Sequence, residues 1–231
     1  FSATFNKEVK KLAKTYMNEP HYVSVKGQNV TLDEIDQIIV HTTDRKKQEA
    51  LCEMIDTQQP FMAIVFCRTK RRVTALYEDL SQKGYNCDQL HGDLSQAKRE
   101  KVMKDFRNAK IQLLIATDVA ARGIDVDGIT HIYNYDMVLD TDTYIHRIGR
   151  TGRAGEKGTA VTFVTPKHNA SLEKLEGDIK ADVKKIEMHK AVKHEDGKAK
   201  PKAKKKPSFD DFLKKNSNKS SNRNSRHKGR A

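Results

Sequence analysis

From residue 37 onwards, the chain alternates short apolar runs with amphipathic stretches. Runs of β-branched and aromatic residues predict strands, and apolar residues spaced three or four positions apart predict helices. The predicted strands are Gln37–Thr42, Met62–Phe66, Asn86–Leu90, Ile111–Ala116, His131–Tyr135 and Gly158–Val164, and the predicted helices are Arg45–Ile55, Lys70–Lys83, Gln96–Arg107, Thr141–Ile148 and Pro166 to about Asp178. Apolar strands separated by helices indicate an α/β fold, in which a parallel sheet carries helices on both faces.

The first 36 residues do not continue this pattern. Residues 1–25 predict the end of a strand, a helix (Asn6–Met17) and a second strand (His21–Val25) that belong to a different sheet. The polar residues 26–36 predict a linker to the main domain. Because the chain opens with Phe1 and not with Met, we expect it to be part of a longer protein.

The charge of the chain is concentrated at its carboxyl end. The formal net charge is +13; residues 183–231 contain 17 Lys/Arg against 5 Asp/Glu, which is +12, and the other 182 residues contain 27 against 26, which is +1. Residues 187–231 have little apolar surface to bury and are predicted to be a disordered basic tail, with Ser208–Leu213 as a small apolar cluster. A polycationic tail indicates an anionic partner such as nucleic acid, bound through counterion release.

Cysteine usage and hydropathy narrow the class of protein further. Cys52, Cys67 and Cys87 are odd in number and lack CxxC spacing, which is typical of thiols in a reducing compartment. The longest apolar run, Phe61–Cys67, is far shorter than a membrane span. We therefore expect a cytoplasmic protein with no membrane partner.

Residues His146–Arg153 place three arginines at three-residue spacing, with glycines between them. Arginines this crowded repel one another unless an anion lies between them, and the planar guanidinium matches the geometry of phosphate oxygens. The segment therefore predicts a phosphate site. A solvated turn with surface ion pairs is the alternative interpretation.

Three other polar segments follow predicted strands. They contain Thr69, then Gly92, Gln96 and Arg99, then Thr117 and Asp125. Hydroxyls and glycines at helix N-termini suit backbone phosphates, and a carboxylate can accept hydrogen bonds from ribose hydroxyls. Because ligands of such sheets bind beyond the carboxyl ends of strands, we expect all four segments at that edge. Each segment alone also fits an ordinary helix cap with exposed charges.

Taken together, these segments resemble the motifs of DEAD-box ATP-dependent RNA helicases. The matching segments, in order, are Ser2–Thr4, Ile64–Lys70, His91–Asp93 with Gln96 and Arg99, Ala116–Asp125 and His146–Arg153. The resemblance extends over residues 1–186 and implies a RecA-like fold of the P-loop NTPase superfamily. It makes residues 1–25 the end of a first RecA-like domain and residues 37–186 the whole of the second.

The resemblance also implies a role for each matched residue. Arg150 and Arg153 match catalytic arginine fingers that contact the γ-phosphate of ATP, and Asp125 matches a ribose contact in the same cofactor site. The positions that match contacts to the RNA sugar-phosphate backbone are Thr69, Gly92, Gln96, Arg99 and Thr117. The positions that match interdomain coupling are Ser2, Thr4, His146 and Arg147. Backbone contacts of this kind imply RNA binding with little sequence preference.

Two motifs of the family are missing from the sequence. Neither a GxxxxGK[ST] phosphate loop nor Asp-Glu-Ala-Asp occurs in the 231 residues. The family carries both in its first domain, where they hold ATP and Mg²⁺, so we expect no metal site and no ATPase activity in this chain alone. Without that domain, the arginine fingers are expected to point into solvent.

The predicted function of the intact protein is that of an ATP-dependent RNA helicase, which unwinds short duplexes when two RecA-like domains close around ATP. Two alternatives stay open from the sequence. One is an ATP-independent module that binds or anneals RNA, and the other is a DNA helicase or translocase of the same superfamily.

Overall fold

A computed structural model of the chain describes residues 7–18, 34–153, 155–179 and 183–187. Seven α-helices and seven strands lie in these residues. The helices are α1 (Lys7–Tyr16), α2 (Lys47–Gln58), α3 (Lys70–Gln82), α4 (Gln96–Arg107), α5 (Asp118–Ala121), α6 (Thr141–Ile148) and α7 (Asn169–Ile179). The strands are β1 (Ile35–His41), β2 (Ala63–Phe66), β3 (Cys87–Leu90), β4 (Leu113–Ala116), β5 (His131–Asn134), β6 (Gly158–Val164) and β7 (Lys184–Glu187).

All seven strands form one sheet, in the order β3-β4-β2-β5-β6-β1-β7. Every pair of neighbouring strands is parallel. The central strands β2 and β4 are buried along their whole length, as expected for strands covered on both faces. The predicted parallel sheet is therefore confirmed.

Alternate residues of each strand face two separate apolar cores. Ala63 and Val65 of β2 pack with α2 and α3 on one face of the sheet. Ile64 and Phe66 pack with α4 and α5 on the other face, where α6 and α7 cover β1 and β6. Helices on both faces are thus confirmed, and the loops that join strands to helices lie at the two ends of the strands.

The structure corrects the boundaries of the main domain. Strand β1 begins at Ile35, so residues 35 and 36, predicted as the end of a linker, belong to the sheet. Strand β7 was not predicted, and its last residue, Glu187, falls in the segment predicted as tail. Three of the four β7 side chains are charged and most are exposed; the strand is held by backbone pairing with β1 and by an ion pair between Lys185 and Glu176 of α7.

The predicted helices differ from the structure mainly at their ends. The helix predicted over Arg45–Ile55 spans Lys47–Gln58 and ends where Gln59 adopts a left-handed conformation. The segment predicted as one helix from Pro166 consists of a 3₁₀ turn, Pro166–His168, followed by α7. Helix α5 is a single turn without an apolar period of its own and was not predicted.

Helix α1 agrees with the predicted helix to within one residue at each end. The predicted strand His21–Val25, the residues Ser2 and Thr4, and the segment from residue 188 onwards, including Ser208–Leu213, lie outside the described residues. The three cysteines are free thiols. In the part of the chain that the structure describes, no helix is both long and apolar enough to cross a membrane.

Candidate functional site

Three predicted RNA positions follow the carboxyl ends of neighbouring strands. Thr69 follows β2, Gly92 follows β3 and Thr117 follows β4, and these strands are adjacent in the order β3-β4-β2. Parallel strands end at the same edge, so the three loops form a continuous row there. This part of the sequence-based prediction is supported by the topology.

Both threonines of this row are helix N-caps. The Thr69 hydroxyl accepts a hydrogen bond from the Arg72 backbone N–H at 3.3 Å, at the start of α3. The Thr117 hydroxyl accepts one from the Ala120 N–H at 3.4 Å, at the start of α5. A capping hydroxyl accepts the backbone hydrogen bond through one of its lone pairs, so its O–H can still donate to an anionic oxygen. Thr69 is exposed, whereas Thr117 keeps only 9% of its surface exposed.

Gln96 and Arg99 lie in the first turn of α4, and their predicted approach to a common ligand stays a prediction. The Gln96 amide donates a hydrogen bond to the Glu100 carboxylate one turn later, at 2.7 Å. Arg99 is partly buried. The bond to Glu100 uses one of the two N–H donors of the Gln96 amide, so the other stays available for a ligand.

An ion pair joins two loops of the row. Lys70, which follows Thr69, contacts Asp93, which follows Gly92, and both side chains are more than half exposed. A pair this exposed contributes little to stability because water screens it. It does bring the loops after β2 and β3 into contact.

His146 and Arg147, adjacent in the arginine segment, occupy very different surroundings. His146 is exposed on α6, whereas the side chain of Arg147 is 5% exposed. The Arg147 guanidinium donates to both carboxylate oxygens of Asp118, to the Asn134 side chain at 3.2 Å and to the Asp136 carbonyl at 3.1 Å.

The guanidinium of Arg147 also stacks over the Phe66 ring, 4.9 Å from its centroid. Since Asp118 follows Thr117 directly, Arg147 connects α6 to one of the three loops that carry the predicted RNA positions. The structure therefore describes Arg147 as an internal link within this domain. Its predicted role in interdomain coupling stays a prediction, as does that of His146.

The predicted nucleotide residues lie together. Arg153 forms an ion pair with Asp125 and donates from Nε to the Gly149 carbonyl at 2.9 Å. Arg150 donates to the Ile124 carbonyl at 2.7 Å. Burial, and then the charge of Arg153, lower the pKa of Arg150, while Asp125 raises it; arginine nevertheless stays protonated at neutral pH. The expectation that these side chains point into solvent was wrong, because the backbone and Asp125 supply partners.

The arginine loop does not lie at the carboxyl edge where it was expected. Thr151, between the two arginines, donates to the carbonyl of Ile129, just before β5 begins. A Cβ on Gly158, the first residue of β6, would approach Thr151 Oγ1 to 2.5 Å and the Gly152 nitrogen to 2.6 Å. The loop therefore packs against the amino-terminal ends of β5 and β6. The reason is that α6 runs back along the sheet before the loop begins.

Asp136 is a residue of the site that sequence reasoning missed. This aspartate lies just beyond β5 and is 2% exposed. Its carboxylate contacts Lys47 of α2 and Arg72 of α3, and it accepts a hydrogen bond from the Arg68 backbone N–H. A polar residue after a strand was the only signal that could have found it, and Lys47 resembled an ordinary exposed lysine at a helix start.

The donor groups of this site suit anions and not metal ions. Among the residues that the structure describes, no group of three or more His, Cys, Asp or Glu side chains could hold a metal. The cationic groups are arginines at two edges of the sheet, joined through Arg147 and Asp118. This arrangement fits a phosphate chain near Arg150 and Arg153 and a sugar-phosphate backbone along the row of loops.

Comparison with known proteins defines the class first. Residues 46–155 match the family model described as Helicase conserved C-terminal domain. The solved structure of Saccharomyces cerevisiae Dbp5 bound to RNA and ADP BeF3 aligns with a TM-score of 0.74 and 32% identity, over 82% of this chain and 51% of that one. The fold and these matches define a C-terminal RecA-like helicase domain.

Relatives over longer stretches define the family. The chain is 45% identical over 187 residues to the DEAD-box ATP-dependent RNA helicase CshA of Bacillus cereus, which is 81% of this chain and 36% of that protein. The structure of the Escherichia coli DEAD-box protein SrmB bound to regulator of ribonuclease activity A aligns with a TM-score of 0.63 and 34% identity, over 74% of this chain and 98% of that chain. The chain belongs to the DEAD-box helicase family.

The extent of the match also has a consequence. The CshA of Bacillus subtilis is 47% identical over 176 residues, which is 76% of this chain and 36% of that protein. The chain thus spans about a third of the length of the curated relatives it matches. The resemblance seen in the sequence is confirmed for this domain. The activity of a whole helicase is a proposal that goes beyond this match.

Proposed function

We propose that this chain is the second RecA-like domain of an ATP-dependent RNA helicase that opens short RNA duplexes. The observation that carries the proposal is the cluster of Asp125, Arg150 and Arg153, in which Arg153 pairs with Asp125 and Arg150 donates to the carbonyl of the neighbouring Ile124. A module that only binds or anneals RNA has no need for a carboxylate and two arginines arranged at the edge away from its RNA loops.

The residues present fit one side of an ATP site. Two guanidiniums can bind the oxygens of the terminal phosphate, and the exposed Asp125 carboxylate can accept hydrogen bonds from ribose hydroxyls. When bound with Mg²⁺, ATP supplies the phosphoryl group whose transfer drives the cycle. Arg150 and Arg153 would stabilise the negative charge that develops on that phosphoryl group during transfer. The residues that bind Mg²⁺ belong to the first domain.

RNA is proposed to lie along the row of loops at the carboxyl edge. Thr69 and Thr117 present hydroxyl donors at helix N-termini. Gly92 leaves room for an RNA strand to approach the backbone: among the described residues, a Cβ added there would meet only Lys70 Cε, at 3.9 Å. These groups contact phosphate and sugar and leave the bases unread. The proposed substrate is therefore RNA with little sequence preference.

The domain assignment predicts that the 231-residue chain has no RNA-stimulated ATPase activity. Joining it to the ATP-binding domain that precedes it in the intact protein should restore turnover, because each half supplies part of one site. Steady-state phosphate release with and without single-stranded RNA measures both, with the first domain alone as the control. Robust turnover by the isolated chain would refute the assignment.

The basic segment is proposed to add RNA affinity without selectivity. Truncation after Glu187 should weaken RNA binding and make log Kobs less sensitive to log[salt], by about 0.7 for each RNA phosphate that the segment neutralises. Titrations of a labelled single-stranded RNA over a range of salt concentrations measure this slope. A full-length variant with every Lys and Arg after Glu187 changed to Gln separates charge from length. An unchanged slope in both variants would exclude the segment as an RNA-binding element.

A further inference from the structure

We infer that the carboxylate of Asp136 positions the β2–α3 loop for RNA binding, as a positioning residue that does not itself touch RNA. The inference rests on the proposed function, because the loop is the one that carries Thr69. Asp136 lies beyond β5, the strand next to β2 on the side away from β4. It is buried, so RNA cannot reach its carboxylate directly.

The carboxylate holds the loop on both sides of Thr69. One oxygen, Oδ2, accepts a hydrogen bond from the Arg68 backbone N–H at 2.9 Å. The other, Oδ1, contacts the Arg72 guanidinium. The Arg72 backbone N–H in turn donates to the Thr69 hydroxyl. One side chain therefore fixes the residue before Thr69 and the residue that Thr69 caps.

Lys47 ties the same carboxylate to the body of the domain. Its ammonium lies 3.3 Å from Asp136 Oδ1 and 5.0 Å from the centroid of the Tyr135 ring, and its side chain is 2% exposed. Burial lowers the pKa of Lys47, and the charge of Asp136 opposes that shift. Two cations therefore share one buried anion. If the anion were removed, Lys47 and Arg72 would repel each other across the space that it leaves, and the loop would lose its anchor.

The backbone of Asp136 makes separate contacts that a side-chain substitution leaves in place. Its carbonyl accepts from Arg147 at 3.1 Å, and its N–H donates to the Phe66 carbonyl at 3.2 Å. Asp136→Asn keeps the shape of the side chain and both backbone contacts, removes the charge and replaces one of the two acceptor oxygens with an NH2 donor. The variant thus changes the support of the β2–α3 loop while leaving the hydrogen bond from Arg147 to this residue intact.

The test uses RNA-stimulated ATPase activity of the intact protein. Asp136→Asn should raise the RNA concentration at half-maximal stimulation about tenfold and leave kcat at saturating RNA within about twofold, because the arginine cluster is untouched. Val102→Ala, in the core under α4 on the opposite face, serves as a stability control. If Val102→Ala lowers Tm as much as Asp136→Asn does and also raises the KM for RNA as much, the effect is general destabilisation and the inference fails.

A double-mutant cycle locates the effect at the loop. Thr69→Val should raise the KM for RNA in the wild-type background and add little in the Asp136→Asn background, since both changes act on one contact. Thr117→Val, in the loop after β4, should add its full effect in both backgrounds. Additive behaviour of Thr69→Val and Asp136→Asn would overturn the inference.

A second variant covers the case in which Asp136→Asn does not fold. Arg72→Gln removes one partner of the carboxylate at a position that is half exposed, and Arg107→Gln removes an exposed arginine at the end of α4 as its match. Arg72→Gln should raise the KM for RNA and Arg107→Gln should not, and the effect of Arg72→Gln should be non-additive with that of Thr69→Val. Equal effects of the two arginine variants, or additivity of Arg72→Gln with Thr69→Val, would contradict the inference. If the wild type lacks RNA-stimulated turnover, the proposed function itself fails, which is a distinct outcome.

Discussion

We expect alanine at Arg150 or at Arg153 to lower the ATP turnover of the proposed intact helicase by about a thousandfold, while single-stranded RNA should still bind with nearly unchanged affinity. The size of the expected loss is that of an arginine finger, which stabilises charge on the transferred phosphoryl group. RNA binding should survive because the loops proposed to bind RNA lie at the carboxyl edge, whereas the arginine loop packs at the amino-terminal ends of β5 and β6.

The measurement is kcat for RNA-stimulated ATP hydrolysis, with RNA affinity determined on the same preparations. Arg107→Ala, an exposed arginine at the end of α4, is the matched control and should keep full activity. Arg150→Lys and Arg153→Lys keep the charge but lose the planar fork, so we expect most of the loss to persist in both. A kcat within about twofold of wild type in either alanine variant would remove the finger role from that residue.

Methionine at Arg147 should lower the free energy of unfolding by about 3 kcal/mol. The change leaves the Asn134 oxygen and the Asp136 carbonyl without the donor that now satisfies them, and both residues are nearly or fully buried. Asp118 also loses its cation, but this carboxylate is 34% exposed and regains water. We therefore place the effect at the lower end of the range for broken buried ion pairs.

Urea denaturation of the 231-residue chain, followed by circular dichroism, measures this loss. The same substitution at the exposed Arg107 controls for the loss of an arginine and should stay within about 0.5 kcal/mol of wild type. A change of similar size at both positions would show that the hydrogen bonds of Arg147 add no stability. Asp118→Asn should have a smaller effect, because its amide can still accept from Arg147.

Much of the fold was predictable because its signal is local. Strands such as Ile111–Ala116 are apolar at nearly every position, and a strand of this kind has to be buried on both faces. Strand β7 carried no such signal, since Lys184, Lys185 and Glu187 are exposed, and its pairing with the β1 backbone and the Lys185–Glu176 ion pair leave no apolar pattern in the sequence. Helix α5, a single turn after Thr117, is likewise too short for a hydrophobic period.

The site residues that belong to sequence motifs could be predicted. The residues whose importance comes from contacts between distant parts of the chain could not. Arg150, Arg153 and Asp125 belong to recognisable motifs, and the fold brings them together. Asp136 and Lys47 are 89 positions apart, and nothing in either local sequence indicates the pair. The arginine loop was predicted at the wrong edge of the sheet. The rule that ligands bind beyond the carboxyl ends of strands applies to loops that directly follow a strand. The arginine loop instead follows α6 and precedes β6.

The contact between Arg153 and Asp125 has a consequence for how the site accepts a nucleotide. Arg153 contacts Oδ1 of Asp125, and a carboxylate has two oxygens with about four lone-pair sites, so the same side chain can also accept from the ribose hydroxyls that the proposed function places there. Asp125 is 84% exposed, and an ion pair this open contributes at most about 1 kcal/mol. A nucleotide could therefore bind beside this ion pair, or replace it, at little energetic cost.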